Sequence, residues 1–468
     1  MEYDLTEVIG IEIEELPEFT DDEIMANYLP EMWIDADKRQ IDENTFARAF
    51  CDVNNLQYNN GLFYSKTGKE TEEIIAKHIW ESIADVGINR DVAKTTQKLL
   101  AAVKLCATVP ALKTDPDIVP FSGGELHVSK WLYKSNEYTP VPYRLPSSIR
   151  YDLQKTPYFD RWLKDLFYPE DLPVIQEYLG YCLVPTTKAQ KALFLVGEGG
   201  AGKSGLGVIL ESILGDAMLS IANTQEFLQD KFKLPELENK LVLYDDDLDS
   251  AALTETGLYK KLITNTLNIT ADRKYGQPFK FTPHIKLVAC CNKMLSSMYD
   301  NTSGFFRRLL PVVVKPIAPD FVPDLQFYDH LRTEADGIVQ WALVGLRRLI
   351  GNNWVLSESQ RTRDYLTQKR SIDDPLPEFF GACFEIDPNG EGVTSVAFLR
   401  VYESWCRANN VTPQKPRVVQ LWVADNGEKY GVKLSQNIVS GDRRVRGYKG
   451  VKIRSEWAQS DGKIDLFS

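Results

Sequence analysis

The sequence predicts an α/β fold with a mainly parallel sheet and covering helices. This prediction depends on three short apolar runs, KALFLV, KLVLY and HIKLVACC, which begin at residues 191, 240 and 284. Their length and aliphatic character are typical of buried strands. Apolar residues recur at helical spacing between them, and strands that alternate with helices form parallel sheets. These observations place the sheet domain between residues 157 and 345.

Hairpins and helices are predicted both within the sheet domain and on either side of it. Asn-Asn-Gly between Tyr58 and Tyr64 and the run Ser122-Gly123-Gly124 are turn sequences that predict two hairpins. Apolar spacing predicts helices within 71–84, 90–108, 157–183, 325–351, 360–368 and 398–408, and short strands about Gly431 and Gly447.

Length and composition restrict the class of protein. A chain of 468 residues exceeds what one hydrophobic core usually supports, so two or three domains are expected. No run approaches the roughly 20 apolar residues of a membrane span. The acidic start lacks the features of a secretory signal, so we expect a cytoplasmic protein with no membrane partner. Seven cysteines without a Cys-x-x-Cys pair and four histidines predict reduced thiols and no metal cluster.

The charge is distributed unevenly along the chain. The net charge is -12, yet residues 1–50 alone hold fifteen acidic and three basic side chains. Clustered like charges repel and solvate, so we predict an acidic arm that is weakly structured or binds a partner. Residues 411–454 hold ten basic and three acidic side chains. This basic region is a candidate contact with nucleic acid, because the local charge matters more than the sum.

A phosphate-binding loop is the most specific motif. The sequence GEGGAGKS fits G-x-x-x-x-G-K-[ST], and it lies between a strand-like run and an amphipathic helix. Backbone N–H groups and a helix N-terminus then hold the phosphates of ATP, Lys203 reaches the β- and γ-phosphates, and Ser204 ligates Mg²⁺. A flexible glycine turn is the alternative. The other predicted nucleotide-binding residues are Gly197, Glu198, Gly199, Gly200, Ala201, Gly202 and Gly205.

Two further strands end in polar residues that suit ATP hydrolysis. Asp245, Asp246 and Asp247 follow KLVLY, and we predict that Asp245 ligates the metal and Asp246 orients the attacking water. Asp247 and Asp249 are interpreted as bystanders, and a solvated strand end is the alternative for all of them. Asn292 follows the third strand, where it either holds the water or γ-phosphate or only forms a turn.

Arg307 and Arg308 lie among apolar residues in the run GFFRRLLP. A guanidinium group in such surroundings needs an anionic partner. One of the two is therefore a candidate arginine finger that reaches the γ-phosphate on a neighbouring subunit. Pairing with carboxylates of the same chain is the alternative.

Together these motifs resemble those of the superfamily 3 helicases, within the primase-helicase ATPases of phages, plasmids, mobile islands and poxviruses. The resemblance implies an AAA+ fold that assembles into a ring, usually a hexamer, and moves along single-stranded DNA. It maps the ATP residues onto Lys203, Ser204, Asp245, Asp246, Asn292 and either Arg307 or Arg308. The segments that carry it are IQEYLGYCLVPTTKAQKALFLVGEGGAGKS, KLVLYDDD, NITADRKYGQPFKFTPHIKLVACCNKM and GFFRRLLPV.

The resemblance also implies two DNA contacts. A hairpin between the acidic strand and the asparagine strand places Arg273, Lys274 and Tyr275 at its tip, where cations and an aromatic ring suit single-stranded DNA. A C-terminal winged-helix domain would place basic residues on its wing, namely Arg443, Arg444, Arg446 and Lys449. An exposed charged turn and a module that packs on the ATPase are the respective alternatives.

The resulting division of the chain has five parts. They are an acidic arm (1–45), an α+β N-terminal domain (46–156), an AAA+ ATPase domain with a preceding helical collar (157–345), a helical linker (346–375) and the winged-helix domain (376–468).

The predicted function is an ATP-driven DNA helicase of a phage or other mobile element, acting on single-stranded and forked DNA as a homo-oligomeric ring. The acidic arm would then contact a replisome protein. The alternative is a non-unwinding AAA+ ATPase that loads a helicase or remodels a protein. A small-molecule kinase is disfavoured, because arginines placed after the asparagine strand suit a ring interface better than a lid.

Overall fold

The computed structural model describes fifteen stretches of the chain. They are residues 10–15, 32–35, 40–59, 61–65, 68–87, 91–110, 112, 115–150, 152–248, 256–264, 268–272, 278–292, 303–318, 324–373 and 375–458. The chain divides into two compact units, Met1–Thr362 and Arg363–Ser468. Across the described stretches, no helix combines the length and apolarity that crossing a membrane requires.

The N-terminal part of the first unit is mixed α and β. Its strands are β1 (Glu12–Glu15), β2 (Ile34–Asp35), β3 (Gln40–Ile41), β4 (Gln57–Asn59), β5 (Leu62–Ser65), β6 (Gly68–Glu70), β7 (Ile118–Phe121), β8 (Gly124–His127) and β9 (Leu132–Ser135). Its helices are α1 (Glu43–Asn54), α2 (Glu72–Asp85) and α3 (Val92–Ala107). Both predicted hairpins are confirmed, since β4 pairs with β5 and β7 pairs with β8, antiparallel in each case.

The described part of the predicted acidic arm holds three strands, β1 to β3, and the start of α1, and β1 belongs to a sheet with β9. Strand β1 pairs in parallel with β9, and Ile11 beside it is fully buried in the core of the unit. Ile13 also packs against that core, while Glu12, Glu14 and Glu15 remain largely outside it. The prediction of a weakly structured arm is therefore wrong for this stretch, because alternating isoleucines provide an apolar face that the glutamates do not disturb.

The rest of the first unit is built on a five-stranded parallel sheet. Its strands are β10 (Ala192–Val196), β11 (Met218–Ile221), β12 (Val242–Asp245), β15 (Lys286–Cys291) and β16 (Leu309–Val313). They lie in the order β11-β12-β15-β10-β16, and every adjacent pair is parallel. A separate antiparallel pair joins β13 (Ile269–Ala271) to β14 (Phe279–Phe281). The predicted parallel sheet is confirmed.

Helices cover this sheet. They are α4 (Pro157–Leu166), α5 (Leu172–Cys182), α6 (Gly205–Leu214), α7 (Thr224–Gln229), α8 (Thr256–Thr264), α9 (Ser303–Phe306), α10 (Phe327–Arg332) and α11 (Ala335–Gly351), with α12 (Gln360–Asp373) leading out of the unit. Helix α6 is almost wholly apolar and buries Leu206, Ile209, Leu210, Ile213 and Leu214. These side chains join one core with β10 and with helices α5 and α11.

The second unit is a small α+β domain. Its elements after α12 are α13 (Leu376–Cys383), β17 (Phe384–Asp387), β18 (Val393–Thr394), α14 (Ser395–Ala408), α15 (Pro416–Asn426), β19 (Lys433–Ser440), β20 (Arg443–Ile453) and α16 (Ser455–Ala458). An aromatic cluster of Phe379, Phe380, Phe398, Tyr402 and Trp405 fills its core. Strand β20 pairs antiparallel with β17, β18 and β19, so the last two long strands form a hairpin.

Candidate nucleotide-binding site

The glycine loop connects a buried strand to a buried helix, as predicted. Strand β10 is buried throughout, the loop follows it, and helix α6 begins at Gly205. Gly200 and Gly202 have φ values of +80° and +89°, which residues with a Cβ adopt only with strain. The loop thus folds into a tight arch over the N-terminus of α6, where backbone N–H groups and the helix dipole favour an anion.

A tryptophan from helix α4 supports the arch from below. Trp162 is buried, and its Nε1 donates a 3.0 Å hydrogen bond to the carbonyl oxygen of Gly202. A Cβ atom at Gly205 would lie 2.4 Å from the same Nε1. The glycine at the first position of α6 is therefore required by the close approach of this ring.

Lys203 is buried beneath the loop. Its Nζ donates to the carbonyl oxygens of Gly197 and Glu198, each at 2.7 Å, and lies 3.5 Å from Asn292 Oδ1. These contacts hold the ammonium group at the mouth of the arch. Because β15 lies between β10 and β12 in the sheet, Asn292 stands between the loop and the acidic strand end, where the sequence predicted it.

Asp246 is the carboxylate that meets the loop. Its Oδ2 accepts a 3.0 Å hydrogen bond from Ser204 Oγ, and both residues are exposed. The pair offers a hydroxyl and a carboxylate oxygen side by side at an open surface. Oxygen donors of this kind are the ligands that Mg²⁺ prefers, usually together with water and substrate phosphates.

Asp245 does not meet Ser204, and its contacts differ from those predicted for a metal ligand. It is 2% exposed, and its Oδ2 accepts hydrogen bonds from the backbone N (2.8 Å) and Oγ1 (2.6 Å) of Thr224. Its Oδ1 accepts a 3.3 Å hydrogen bond from the backbone N of Asp247. Neighbouring residues of a strand face opposite sides of the sheet, which separates Asp245 from Asp246.

A buried tyrosine lies behind Asp246. The phenol of Tyr244 donates a 2.5 Å hydrogen bond to Asp246 Oδ1, and its oxygen lies 3.4 Å from Cys290 Sγ. Burial raises the pKa of the Tyr244 phenol well above its usual range, with smaller contributions from Cys290 and Asp246. Burial also raises the pKa of the Cys290 thiol to about 12. Both groups are therefore protonated and able to donate at neutral pH.

An open cavity of about 720 Å³ extends from the loop. This volume is within the range of small-molecule sites. Burial and the nearby Asp246 raise the pKa of the Tyr328 phenol, which belongs to α10. The cavity is lined by Arg161, Trp162, Asp165, Leu166, Gly199 to Ser204, Asp246, Asp247, Asn292, Asp324, Leu325, Phe327 and Tyr328. Asp247, interpreted from the sequence as a bystander, is thus one of its walls.

The two arginines after the asparagine strand are not among the residues that line this cavity. Arg307 is exposed in the turn between α9 and β16. Arg308 is half-buried, its guanidinium donates to the carbonyl oxygen of Gly304, and its carbonyl accepts a 2.8 Å hydrogen bond from the N of Ala192. The backbone of Arg308 therefore supports the start of β10, whereas Arg307 faces the solvent.

The predicted DNA contacts have different outcomes. Arg273, Lys274 and Tyr275 lie outside the described residues, as does Asp249, so their predicted roles stay predictions. The predicted basic hairpin at the C-terminus is present as β19 and β20, with all four of its predicted cations exposed. These cations are Arg443, Arg444, Arg446 and Lys449.

Several residues of the site were not predicted from the sequence. Trp162, Thr224, Tyr244 and Tyr328 each contact or face a predicted residue, yet each comes from a different element. Of these four residues, only Tyr244 could have been predicted from the local sequence, because strand alternation places it on the same face as Asp246. The other three depend on contacts over long sequence distances.

Comparison with known proteins identifies relatives of the fold. A family described as a family of unknown function (DUF5906) matches residues 195–308, from β10 to the arginine pair. The apo structure of the C-terminal region of NrS-1 is similar at a TM-score of 0.53 and 12% identity, over 88% of this chain and 100% of that chain. The A form of the same region has a TM-score of 0.48 and 13% identity, over 84% and 95%. No curated protein sequence matches. At this identity the likeness shows a shared fold.

Proposed function

We propose that this protein is a Mg²⁺-dependent ATPase. The observation that carries the proposal is the convergence of three strand ends at one edge of the parallel sheet. Lys203 on the loop, Asp246 after β12 and Asn292 after β15 meet there, with Ser204 Oγ 3.0 Å from Asp246 and Lys203 Nζ 3.5 Å from Asn292. Ligands of open parallel sheets bind beyond the carboxyl ends of the strands.

The contacts support a specific division of roles. Lys203 and the loop N–H groups would bind the β- and γ-phosphates, and Asn292 would hold the γ-phosphate or the attacking water. Ser204 and Asp246 would hold Mg²⁺, which neutralises the developing phosphate charge. We thus assign the metal to Asp246 in place of Asp245. Asp247, exposed on the cavity wall, is then the carboxylate available to orient the water.

The base and ribose would lie against the part of the cavity wall that α4 and α10 provide. The Cζ atom of Arg161 on α4 lies 5.5 Å from the ring centroid of Phe327, and its Nη1 lies 3.8 Å from Asp324 Oδ2 in an ion pair. Tyr328 and Leu325 continue this wall. An aromatic and aliphatic surface with a few charged groups suits a nucleobase, which binds by stacking and by hydrogen bonds to its edge.

Substitution of the loop lysine tests the ATPase. Lys203→Ala should abolish ATP hydrolysis, because the other described cation that lines the cavity, Arg161, is ion-paired with Asp324. Lys77→Ala is the matched control, since Lys77 is 71% exposed on helix α2. Phosphate release with Mg²⁺ would be measured for both. Hydrolysis by Lys203→Ala at the wild-type rate would overturn the proposal.

We further propose that the ATPase works as an AAA+ ring on DNA. The strand order β11-β12-β15-β10-β16, with the loop on β10 and the polar residue on β15, supports an AAA+ core. An exposed Arg307 outside the cavity suits a finger that acts on a neighbouring subunit. In the second unit, three helices followed by a basic hairpin support a winged-helix domain whose wing contacts DNA phosphates.

Strand displacement separates the two forms of this proposal. A helicase of this kind should unwind a forked duplex in an ATP-dependent reaction, and the Lys203→Ala variant should not. ATP hydrolysis without displacement of either strand would instead favour the loader or remodelling ATPase. A monomeric particle in the presence of ATP and Mg²⁺ would contradict the shared site in both cases.

A further inference from the structure

Tyr244 connects the acidic strand to the helix that follows the loop. It is the third residue of β12 and 3% exposed, and its side chain extends on the same face as Asp246. Its phenol donates to Asp246 Oδ1 at 2.5 Å, while Asp246 Oδ2 accepts from Ser204. One carboxylate is thus held from both sides, by a buried donor behind it and by the loop hydroxyl in front.

The phenol is itself fixed by the neighbouring strand. Cys290 on β15 places its Sγ 3.4 Å from the phenol oxygen and 3.5 Å from the carbonyl oxygen of Lys203. A chain of short polar contacts therefore runs from Asp246 through Tyr244 and Cys290 to the backbone of the loop. Buried polar groups that lack a partner cost free energy, so this series of contacts restricts the orientation of the Asp246 carboxylate.

The loop helix leaves a space that admits the tyrosine ring. A Cβ atom at Gly207 would lie 2.6 Å from Tyr244 Cε1 and 2.9 Å from its phenol oxygen. Glycine is the weakest helix former apart from proline, yet it occupies the first turn of α6. Gly207, the last glycine of the run GKSGLG, is explained by this contact, which phosphate binding does not require.

We propose that Tyr244 is a positioning residue that, through the space left by Gly207, holds Asp246 against Ser204 for binding of the divalent cation. The inference rests on the proposed ATPase function and adds a residue to it that does not touch the nucleotide. Its consequence is specific: Tyr244 affects the part of nucleotide binding that depends on Mg²⁺, and not the part that the loop provides alone.

The test is a titration of the full-length protein with a fluorescent ADP analogue, with Mg²⁺ and with EDTA. Tyr244→Phe keeps the ring and removes only the donor. We expect unchanged affinity in EDTA and a loss of about tenfold in the tightening caused by Mg²⁺, the size of a hydrogen bond to a charged group. Tyr178→Phe is the matched control, because its buried phenol donates to the backbone carbonyls of Lys191 and Leu287.

A double-mutant cycle separates positioning from a general structural effect. Asp246→Asn should lose the Mg²⁺ effect, and Tyr244→Phe added to it should cause no further loss. Gly207→Ala should raise the helix propensity of α6 and displace the Tyr244 phenol from Asp246. It should therefore show the same loss of the Mg²⁺ effect as Tyr244→Phe. It provides this test even if Tyr244→Phe folds poorly. An Mg²⁺ response equal to wild type in both Tyr244→Phe and Gly207→Ala, or additive losses in the cycle, would overturn the inference. No binding of the analogue by the wild type would instead overturn the proposed ATPase.

Discussion

Ser204 Oγ donates a 3.0 Å hydrogen bond to Asp246 Oδ2, while the adjacent Asp245 turns away and accepts two hydrogen bonds from Thr224. The two carboxylates should therefore respond differently to substitution. Asp246→Ala should weaken Mg²⁺-dependent nucleotide binding by at least about tenfold and leave the fold intact, because Asp246 is exposed.

Asp245→Ala should act on stability. It would leave a buried backbone N–H and a hydroxyl of Thr224 without their acceptor, which costs about 2–3 kcal/mol of the free energy of unfolding. Urea denaturation of both variants, together with the nucleotide titration, measures the two effects. If Asp246→Ala were destabilised and Asp245→Ala were as stable as wild type, the roles assigned to the two carboxylates would be reversed.

Local pattern was sufficient to predict the loop and most elements of the sheet, because the loop and its flanking strand and helix lie within 24 consecutive residues, 191–214. The role of Asp245 was not predictable in this way. Its partner Thr224 lies 21 residues earlier, at the start of a six-residue helix. A helix of this length has no clear hydrophobic periodicity in the sequence. Strand β1 shows the same limit, since its partner β9 is more than a hundred residues away.

The second unit shows a different limit. Helix α15 was not predicted. Val419 and Val423 are buried and Trp422 packs against the same core, but the apolar residues Val418 and Leu421 of the same helix are exposed. Its apolar residues therefore show no clear helical period in the sequence. The β19–β20 hairpin was predictable because glycine turns and basic residues mark it in the sequence.

Substitutions of Arg307 and Arg308 should affect different properties of the protein. If Arg307 serves the neighbouring site, Arg307→Ala should lower ATP hydrolysis by about a thousandfold without preventing nucleotide binding. Arg308→Ala should lower the melting temperature instead, because it removes the guanidinium that donates to the carbonyl oxygen of Gly304.

Mixing variants tests whether the arginine acts between subunits. A Lys203→Ala subunit still offers an intact Arg307, so equimolar Lys203→Ala and Arg307→Ala proteins should together regain part of the ATPase activity that each lacks. Phosphate release as a function of the mixing ratio measures this. Activity that stays at the level of the separate variants at every ratio would contradict an arginine shared between subunits.

The basic wing should contribute sequence-independent DNA binding. Arg444 and Arg446 are exposed on one face of β20, and each contact with a phosphate of single-stranded DNA should contribute about 0.7 to the slope of log affinity against log salt. The variant with both residues changed to Ala should therefore bind single-stranded DNA more weakly and with a slope smaller by about 1.4. Lys452→Ala is the control, because Lys452 on the same strand is ion-paired with Glu385 at 3.0 Å. An unchanged salt slope in the double variant would remove the wing from the DNA contact.

Lys286 should make the stability of the first unit depend on pH. It is buried at the start of β15, where its Nζ donates to the carbonyl oxygens of Val184 and His284 and lies 5.2 Å from the ring of Tyr181. Burial lowers the pKa of Lys286 to about 7, and the nearby Cys182 opposes this only in part. Burial and Lys286 also lower the pKa of the His284 imidazole.

The sign of the effect follows from proton binding. Between about pH 7 and the unfolded pKa near 10.5, the unfolded chain keeps the proton that the folded protein releases, so the free energy of unfolding rises with pH. Below about pH 7 both states are protonated, and Lys286 adds no further slope. From pH 7 to about 8.5, wild type should gain of the order of 1–2 kcal/mol relative to Lys286→Met, which has no proton to release. Urea denaturation of both proteins across this range measures the difference. Parallel stability curves for the two proteins would show that Lys286 remains charged in the folded state.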